Sequence, residues 1–104
     1  MDIREVLDEF NEKIKDLYGA RLRKIILYGS WARGKADEDS DIDLLVVLKD
    51  DVSPGLEIDA MIDIITEINM KHNVLISVYP VSERDYSTVQ SPLLLNIRKE
   101  GIRA

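Results

Sequence analysis

The chain has 104 residues, a length that accommodates one globular domain and leaves no room for separate catalytic and binding domains. Apolar residues make up 45% of the chain and charged residues 33%, a composition that excludes a disordered or collagen-like protein. The formal net charge of −6 disfavours general coating of nucleic acid, and the absence of cysteine excludes a disulfide framework, a thiolate zinc site and a thiol nucleophile.

The first half of the chain predicts one helix and two strands. Apolar residues recur at three- and four-residue intervals across residues 2–18, which is typical of an amphipathic helix, and Gly19 is its expected end. The apolar run Lys24–Tyr28 predicts a buried strand, because it is rich in strand formers and stops abruptly at a Gly-Ser pair. Residues 31–40 have room for one helical turn and a polar loop, and Asp41–Leu48 predicts the second strand.

The second half predicts a long helix, a third strand and a helical ending. Proline is tolerated in the first turn of a helix, so Ser53-Pro54 marks the start of a helix that reaches about Lys71. Asn73–Tyr79 predicts the third strand, which we expect Pro80 to stop. Three local signals follow: possible helix starts at Ser82 and at Ser91-Pro92, and a helix end at Gly101. Without repeats or linkers, these elements predict one α/β core formed by residues 1–104.

The sequence shows no targeting or membrane segment. Residues 1–5 carry acids where a secretion signal needs a basic start and an apolar run. The longest clearly apolar stretch, Leu44–Leu48, has five residues, against the roughly 20 that span a bilayer. We therefore expect a soluble, cytoplasmic protein with no membrane partner.

Three motifs compete for residues 27–47, where most of the chemical information lies. The first is a phosphate-binding P-loop, because residues 29–35 match the pattern G-x-x-x-x-G-K after a strand. Ala36, however, stands where a P-loop needs a Ser or Thr hydroxyl to hold magnesium. The chain is also too short for the several βαβ units that normally surround such a loop.

The second motif is a calcium-binding EF-hand loop. Asp37, Asp39 and Asp41 have the spacing of its first three ligands. Ile42 and Leu48 replace the glycine and the glutamate that such a loop requires. The acidic residues that precede Asp41 are better interpreted as a solvated turn.

The third motif joins Asp41 and Asp43 to Gly29 and Ser30. Residues two apart on a strand share one side, roughly 6.6 Å apart, so the two carboxylates can bind the same one or two divalent cations while Ile42 faces the core. Such a like-charge pair is repulsive and needs a neutraliser such as magnesium. Gly29 permits a sharp turn and close backbone approach, and the Ser30 hydroxyl with the amides after it can bind a phosphate tail.

The charges of this third motif suit a bound nucleoside triphosphate. Such a ligand carries roughly four negative charges and is usually held by divalent ions and basic side chains. Two magnesium ions on Asp41 and Asp43 would leave two positive charges, and Arg33 with Lys35 could supply the other two. An acidic protein can therefore bind an acidic ligand locally.

Gly29-Ser30, followed after ten residues by Asp41-Ile42-Asp43, resembles the signature of the DNA polymerase beta-like nucleotidyltransferase superfamily. The signature is embedded here as LYGSWARG and SDIDLLVVL. Chain length and element order resemble the minimal nucleotidyltransferases (MNT) of this superfamily, small proteins often found as partners or antitoxins of HEPN-domain proteins. The resemblance covers nearly the whole chain.

The resemblance implies an α/β (α+β) fold with a small mixed β-sheet flanked by helices. It also implies magnesium-dependent transfer of AMP from ATP to a hydroxyl, with pyrophosphate leaving. By position, Gly29 and Ser30 would hold the triphosphate, Arg33 would be a weaker phosphate ligand, and Asp41 and Asp43 would bind two magnesium ions. In some relatives the acceptor is a tyrosine of a HEPN toxin, so we expect a HEPN-domain partner and an antitoxin role. The resemblance is compatible with either homo-oligomers or hetero-oligomers.

The sequence departs from the pattern of this superfamily at one position. Fully active members commonly carry a third carboxylate on the next central strand, as metal ligand or base, whereas Ser77 occupies that place here. Three accounts stay open: low or no activity, a substitute acid such as Asp59 or Glu83, or an acceptor that needs little help. A tyrosine hydroxyl, with a pKa near 10, is much easier to deprotonate than a sugar hydroxyl, which favours protein modification.

Four further features have structural interpretations. The lone His72 at a helix end is interpreted as structural, and the acidic stripe of the long helix as a solvated face or a docking surface for a basic partner. Trp31 could cover a nucleotide base or pack as a wedge, and Tyr28 is expected to pack.

The leading hypothesis is a nucleotidyltransferase that modifies a HEPN partner. Its rival is a catalytically impaired module of the same fold that neutralises its partner by contact alone.

Overall fold

The computed structural model describes residues 2–104. The helices are α1 (Ile3–Tyr18), α2 (Pro54–His72), α3 (Glu83–Thr88) and α4 (Pro92–Glu100), and the strands are β1 (Leu22–Tyr28), β2 (Ile42–Leu48), β3 (Ile76–Ser82) and β4 (Ile102–Arg103). One 3-10 turn, Gly19–Arg21, connects α1 to β1. None of the helices in the described part of the chain is long and apolar enough to cross a membrane.

The four strands form one mixed sheet in the order β3-β2-β1-β4. Strand β1 runs antiparallel to both β2 and β4, whereas β2 and β3 are parallel and connected through α2. The α/β (α+β) fold with a small mixed sheet, which the family resemblance implies, is confirmed.

The two faces of the sheet are covered unequally. Leu44 and the other even-numbered residues of β2 face α1 and α2, and they form the main core with Phe10 and Met61. Leu45 and Val47 point to the opposite side, here called the second face, where Leu94 and Ile97 of α4 pack on them. Because residues alternate along a strand, Asp43 lies on the second face, one position beyond this apolar cluster.

Strand β3 departs from the expectation in two places. Pro80 does not stop β3, which continues to Ser82 with Pro80 in register with Val46 of β2. Since β3 is an edge strand with one free side, a residue without an N–H is tolerated in it. The third strand also starts later than expected, because Asn73 adopts a left-handed conformation, with φ 53°, and caps α2.

A polar cluster, which the sequence did not predict, ties the end of α1 to α2. Glu57 is only 8% exposed, and its carboxylate accepts a hydrogen bond from the Tyr18 hydroxyl at 2.9 Å. The Arg21 guanidinium donates to both carboxylate oxygens, at 3.1 and 2.7 Å, and also to the carbonyl of Asp51 at 3.0 Å. These bonds satisfy a charge that would otherwise be buried at considerable cost, so the cluster stabilises the fold.

Replacing Arg21 with Met tests the weight of this cluster. The change leaves the Glu57 carboxylate buried without its cation, so we expect the free energy of unfolding to fall by about 2 to 3 kcal/mol in urea titrations. Lys13→Met is the matched control, because it breaks an ion pair with Glu67 whose carboxylate side chain is 61% exposed, and it should cost less than about 1 kcal/mol. Equal losses of unfolding free energy in Arg21→Met and Lys13→Met would contradict the stabilising role of the Glu57 cluster.

The same cluster predicts a dependence of stability on pH. The hydrogen-bonded Arg21 holds the pKa of Glu57 below its ordinary value, so the carboxylate stabilises the folded state above its unfolded pKa of about 4.3. This contribution is lost as the pH falls through the lowered pKa of the folded state. Because burial raises the pKa of Glu57 once Arg21 is removed, the stability difference between the wild type and Arg21→Met should shrink as the pH falls from about 7 to about 3, and a constant difference over that range would contradict the assignment.

Candidate active site

The residues of the nucleotidyltransferase-like signature meet where β1 ends and β2 begins. Asp43 lies in register with Tyr28, the last residue of β1, and with Ser77 on β3. Asp41 immediately precedes β2 and is exposed, whereas Asp43 is partly buried. Asp43 lies on the second face beyond the residues on which α4 packs, and Asp41 is near enough for its charge to act on Asp43. The structure thus leaves this acidic pair accessible from one side.

Gly29 makes the closest approach to this pair. Its φ of 74° lies in the left-handed region, and a Cβ placed on it would overlap the Oδ2 atom of Asp43 and lie 3.2 Å from the Cγ atom of the same side chain. Only glycine therefore fits at this position without displacing the carboxylate. The sequence predicted that Gly29 permits close approach to the backbone. In the structure the group that approaches it is the carboxylate of Asp43, the second acid of the signature.

The turn after Gly29 carries Ser30 and Arg33. The amide of Arg33 donates to the carbonyl of Gly29 at 3.1 Å, and the amide of Lys35 donates to the carbonyl of Ser30 at 3.0 Å. The guanidinium of Arg33 comes within 4.0 Å of the carboxylate of Glu100, at the end of α4. Arg33 is thereby held beside the acidic pair, and its charge acts to lower the pKa of Asp43.

The acidic turn before Asp41 is held by its own hydrogen bonds. Asp37 accepts from the amide of Asp39 at 2.9 Å and from the hydroxyl of Ser40 at 3.2 Å. The indole nitrogen of Trp31 donates to the carbonyl of Ser40 at 3.4 Å, and its ring packs against the main core. Asp37 therefore shapes a turn, as the solvated-turn interpretation expects, and Trp31 is a wedge between the loop and the core.

This geometry removes the P-loop and EF-hand interpretations. Residues 29–41 form turns and extended chain, without the helix that follows a P-loop, and β1 is antiparallel to its neighbours. Within residues 2–104, three or more carboxylate, histidine or cysteine side chains do not converge as a calcium loop requires.

The acidic pair has the electrostatics of an unneutralised cation site. Burial, followed by the neighbouring charge of Asp41, raises the pKa of Asp43. A divalent cation would relieve this repulsion, and hard oxygen ligands are those that magnesium prefers. Magnesium is usually bound through one or two carboxylates, with substrate phosphates and water completing its shell. The two carboxylates therefore fit magnesium that is shared with a nucleotide.

The structure excludes both substitutes for the missing third carboxylate. Asp59 belongs to α2, which packs on the opposite face of the sheet. Glu83 follows the far end of β3, about 20 Å along the chain from Ser77, and lies 3.5 Å from Arg23. Ser77 is exposed and lies beside Asp43, the place that the family resemblance implies for it.

The acidic stripe of α2 lies on a helix that packs on the other face of the sheet from Asp43, whereas His72 lines a surface pocket together with Asp41. The Nε2 atom of His72 is 3.2 Å from Glu9, and Lys71 donates to the same Glu9 oxygen at 2.8 Å, which supports a structural role. The three acids of the stripe, Asp59, Asp63 and Glu67, are exposed, as a solvated face requires. Sequence reasoning missed the contact between Arg33 and Glu100. The two residues lie far apart along the chain, and no short-range pattern links a loop to such a distant helix end.

Replacing Gly29 with Ala tests the contact with Asp43. The added Cβ would displace the carboxylate, so we expect the affinity for Mn²⁺, measured with a non-hydrolysable ATP analogue, to fall about tenfold or more. Gly34→Ala is the matched control, because Gly34 has a similar φ of 69° and open space around its Cβ position. Both variants should lose about 1 to 2 kcal/mol of stability through backbone strain, and equal metal affinities would contradict the proposed contact.

Comparison with known proteins agrees with this geometry. Residues 7–99 match the model of the family described as "Nucleotidyltransferase domain". The chain is 40% identical over 102 residues to a Methanocaldococcus jannaschii protein named "Putative protein adenylyltransferase MJ0604", a match that covers 97% of this chain and 96% of that protein.

Two solved structures share the fold. One, described as a toxin-antitoxin with AMP-PNP, superposes with a TM-score of 0.64 at 17% identity, covering 92% of this chain and 70% of that one. The other, a tri-AMPylated Shewanella oneidensis HEPN toxin in complex with MNT antitoxin, gives a TM-score of 0.52 at 19% identity, covering 94% and 70%. On the family match and the relative of nearly equal length, the chain belongs to the nucleotidyltransferase domain family.

Proposed function

We propose that this chain is a magnesium-dependent protein adenylyltransferase that transfers AMP from ATP to a tyrosine of a HEPN-domain partner in the cytoplasm. The observation that carries the proposal is the contact between Gly29 and Asp43, in which the turn after β1 lies directly against one carboxylate of the acidic pair. Residues 1–104 act as one catalytic domain in this account.

Each residue of the signature has a role that its position allows. Asp41 and Asp43 would hold two magnesium ions, which would supply positive charge to neutralise the triphosphate and the negative charge that develops during transfer. Gly29 and Ser30 hold the triphosphate at the turn that follows β1. Arg33, beside the pair, binds a phosphate oxygen through its guanidinium, and Glu100 orients it from α4.

The comparisons support the partner and the nucleotide. MJ0604 is named for protein adenylyl transfer, and the two solved complexes are described as containing AMP-PNP or an AMPylated HEPN toxin. In the proposed role the modification neutralises a HEPN toxin, so the chain acts as the antitoxin of a toxin–antitoxin pair.

Asp43→Asn tests the proposal. After incubation with ATP and magnesium, intact mass should show one or more AMP units on a co-purifying HEPN-domain protein. We expect Asp43→Asn to reduce the transfer rate at least a hundredfold, because a metal ligand and its charge are lost. Asp16→Asn is the control: it removes the same charge from an exposed residue of α1, and it should retain transfer close to that of the wild type.

The rival function predicts a different pattern. Its support is Ser77, which leaves the site one carboxylate short of a fully active family member. If the partner starts unmodified, stays unmodified and is still inhibited by the Asp41→Asn, Asp43→Asn double variant, neutralisation proceeds by contact and the enzymatic proposal is wrong.

A further inference from the structure

A basic hollow lies at the start of β1, at the edge of the sheet that carries β4. Its volume is about 300 Å³, and it lies between the C-terminal half of α1 and the end of β4. Lys15 of α1, Arg23 and Lys24 of β1 and Arg103 of β4 line it, and none of its lining residues is an Asp or Glu. Four of the 14 basic residues of an acidic chain therefore meet at one place.

Three of these cations are available to an anionic ligand. Within residues 2–104, Lys15, Lys24 and Arg103 form no ion pair with a carboxylate, whereas Arg23 lies 3.5 Å from Glu83. Lys15 and Arg103 are exposed. The ammonium of Lys24 lies 4.6 Å from the centre of an aromatic ring, a contact that orients the side chain and leaves its charge uncompensated. Converging cations of this kind attract anionic groups, most strongly at low salt.

The hollow also contains an open strand edge. Strand β4 pairs with β1 only at Ile26 and Leu27, and the amide of Ala104 adds one bond to the carbonyl of Ile25. In the part of the chain that the structure describes, residues 22–24 of β1 have no strand beside them on this side. An unpaired edge presents N–H and C=O groups that an incoming extended chain can bond to.

We propose that this hollow is a docking site for a short, extended and acidic segment of a protein partner. The edge of β1 pairs with the backbone of the segment, and Lys15, Lys24 and Arg103 bind its carboxylates. Because the register of β1 against β2 shifts between Leu22 and Lys24, the edge suits a short segment. The same cations repel basic strands, so they also protect the edge against unselective pairing.

A polypeptide fits this hollow better than a nucleic acid does. A strand edge bonds to the amide groups of another backbone, and the backbone of a nucleic acid has none. The net charge of −6 repels a long polyanion, whereas a short acidic segment meets only the local positive charge.

The docking site and the acidic pair lie at opposite ends of β1. The first and last residues of this strand, Leu22 and Tyr28, are roughly 20 Å apart, and Asp43 is in register with Tyr28. A bound segment therefore anchors a partner and leaves the site at Asp43 accessible. Docking at this edge does not depend on adenylyl transfer.

The test uses a capped eight-residue peptide of alternating glutamate and threonine. A lysine–threonine peptide reverses its charge, and the acidic peptide N-methylated at every residue retains its charge but has no N–H to donate. Pentathymidylate without terminal phosphates carries the same four negative charges on phosphodiesters. Affinity is measured by titration calorimetry at low salt, and backbone pairing by NMR hydrogen exchange of the amides in residues 22–24.

We expect the acidic peptide to bind with a Kd of about 1 mM or lower. At a peptide concentration ten times the Kd, at least one amide in residues 22–24 should exchange about tenfold more slowly. The lysine–threonine and N-methylated peptides and pentathymidylate should each bind at least about tenfold more weakly than the acidic peptide.

Charge reversal locates the peptide. Lys15→Glu and Arg103→Glu should each weaken binding about fivefold, and the double variant more than about tenfold. Lys13→Glu is the matched control, because it makes the same change on the side of α1 that faces α2, where Lys13 pairs with Glu67. It should leave the affinity unchanged. Mn²⁺ affinity with a non-hydrolysable ATP analogue should be the same in all variants, since the acidic pair is distant.

Other results would overturn the docking site in distinguishable ways. No binding of the acidic peptide at about 10 mM would show that the edge is only protected by its charges. Equal binding of the N-methylated peptide would exclude pairing with the strand edge. Binding of pentathymidylate as tight as that of the peptide would identify a phosphate site, and equal affinities in Lys15→Glu and Lys13→Glu would place the peptide elsewhere.

Discussion

The close approach of the Gly29 backbone to the Asp43 carboxylate is the constraint on which the site depends. Because a Cβ at position 29 would overlap the Oδ2 atom of Asp43, no side chain can stand directly after β1 without displacing that carboxylate. The left-handed φ of Gly29 turns the chain away from the sheet at this point, which leaves the acidic pair uncovered. The geometry therefore couples the turn after β1 to the Asp43 carboxylate, and the proposed chemistry needs both.

The unequal covering of the sheet explains why this site is accessible. α1 and α2 bury one face along the full length of β2, whereas α4 covers only the region of Leu45 and Val47 on the other. Asp43 lies on the same face of β2 as Leu45 and Val47, one position beyond the apolar residues that α4 covers. The parallel pairing with β3 then places Ser77 beside it, where the family resemblance implies a third carboxylate.

Much of this architecture could be predicted from local patterns. The periodicity of α1, the apolar run of β2 and the spacing between Gly29 and Asp43 are all short-range features, and the structure agrees with each. The position of Ser77 was also predicted, but through family resemblance.

The remainder depends on tertiary context. Pro80 is tolerated because β3 is an edge strand, and β4 has only two residues, too few for a recognisable pattern. The Glu57 cluster joins residues 36 and 39 positions apart, and a single sequence carries no sign of such pairs. The exclusion of Asp59 required knowing which face α2 covers.

The most direct test of the account follows the phosphorus atoms of ATP. The protein and a HEPN-domain partner are incubated with magnesium and with ATP labelled at either the α- or the γ-phosphorus. We expect the α-label to become covalently attached to the partner and the γ-label to leave entirely as pyrophosphate. Release of the γ-label as inorganic phosphate, or its attachment to the partner, would contradict adenylyl transfer at the acidic pair.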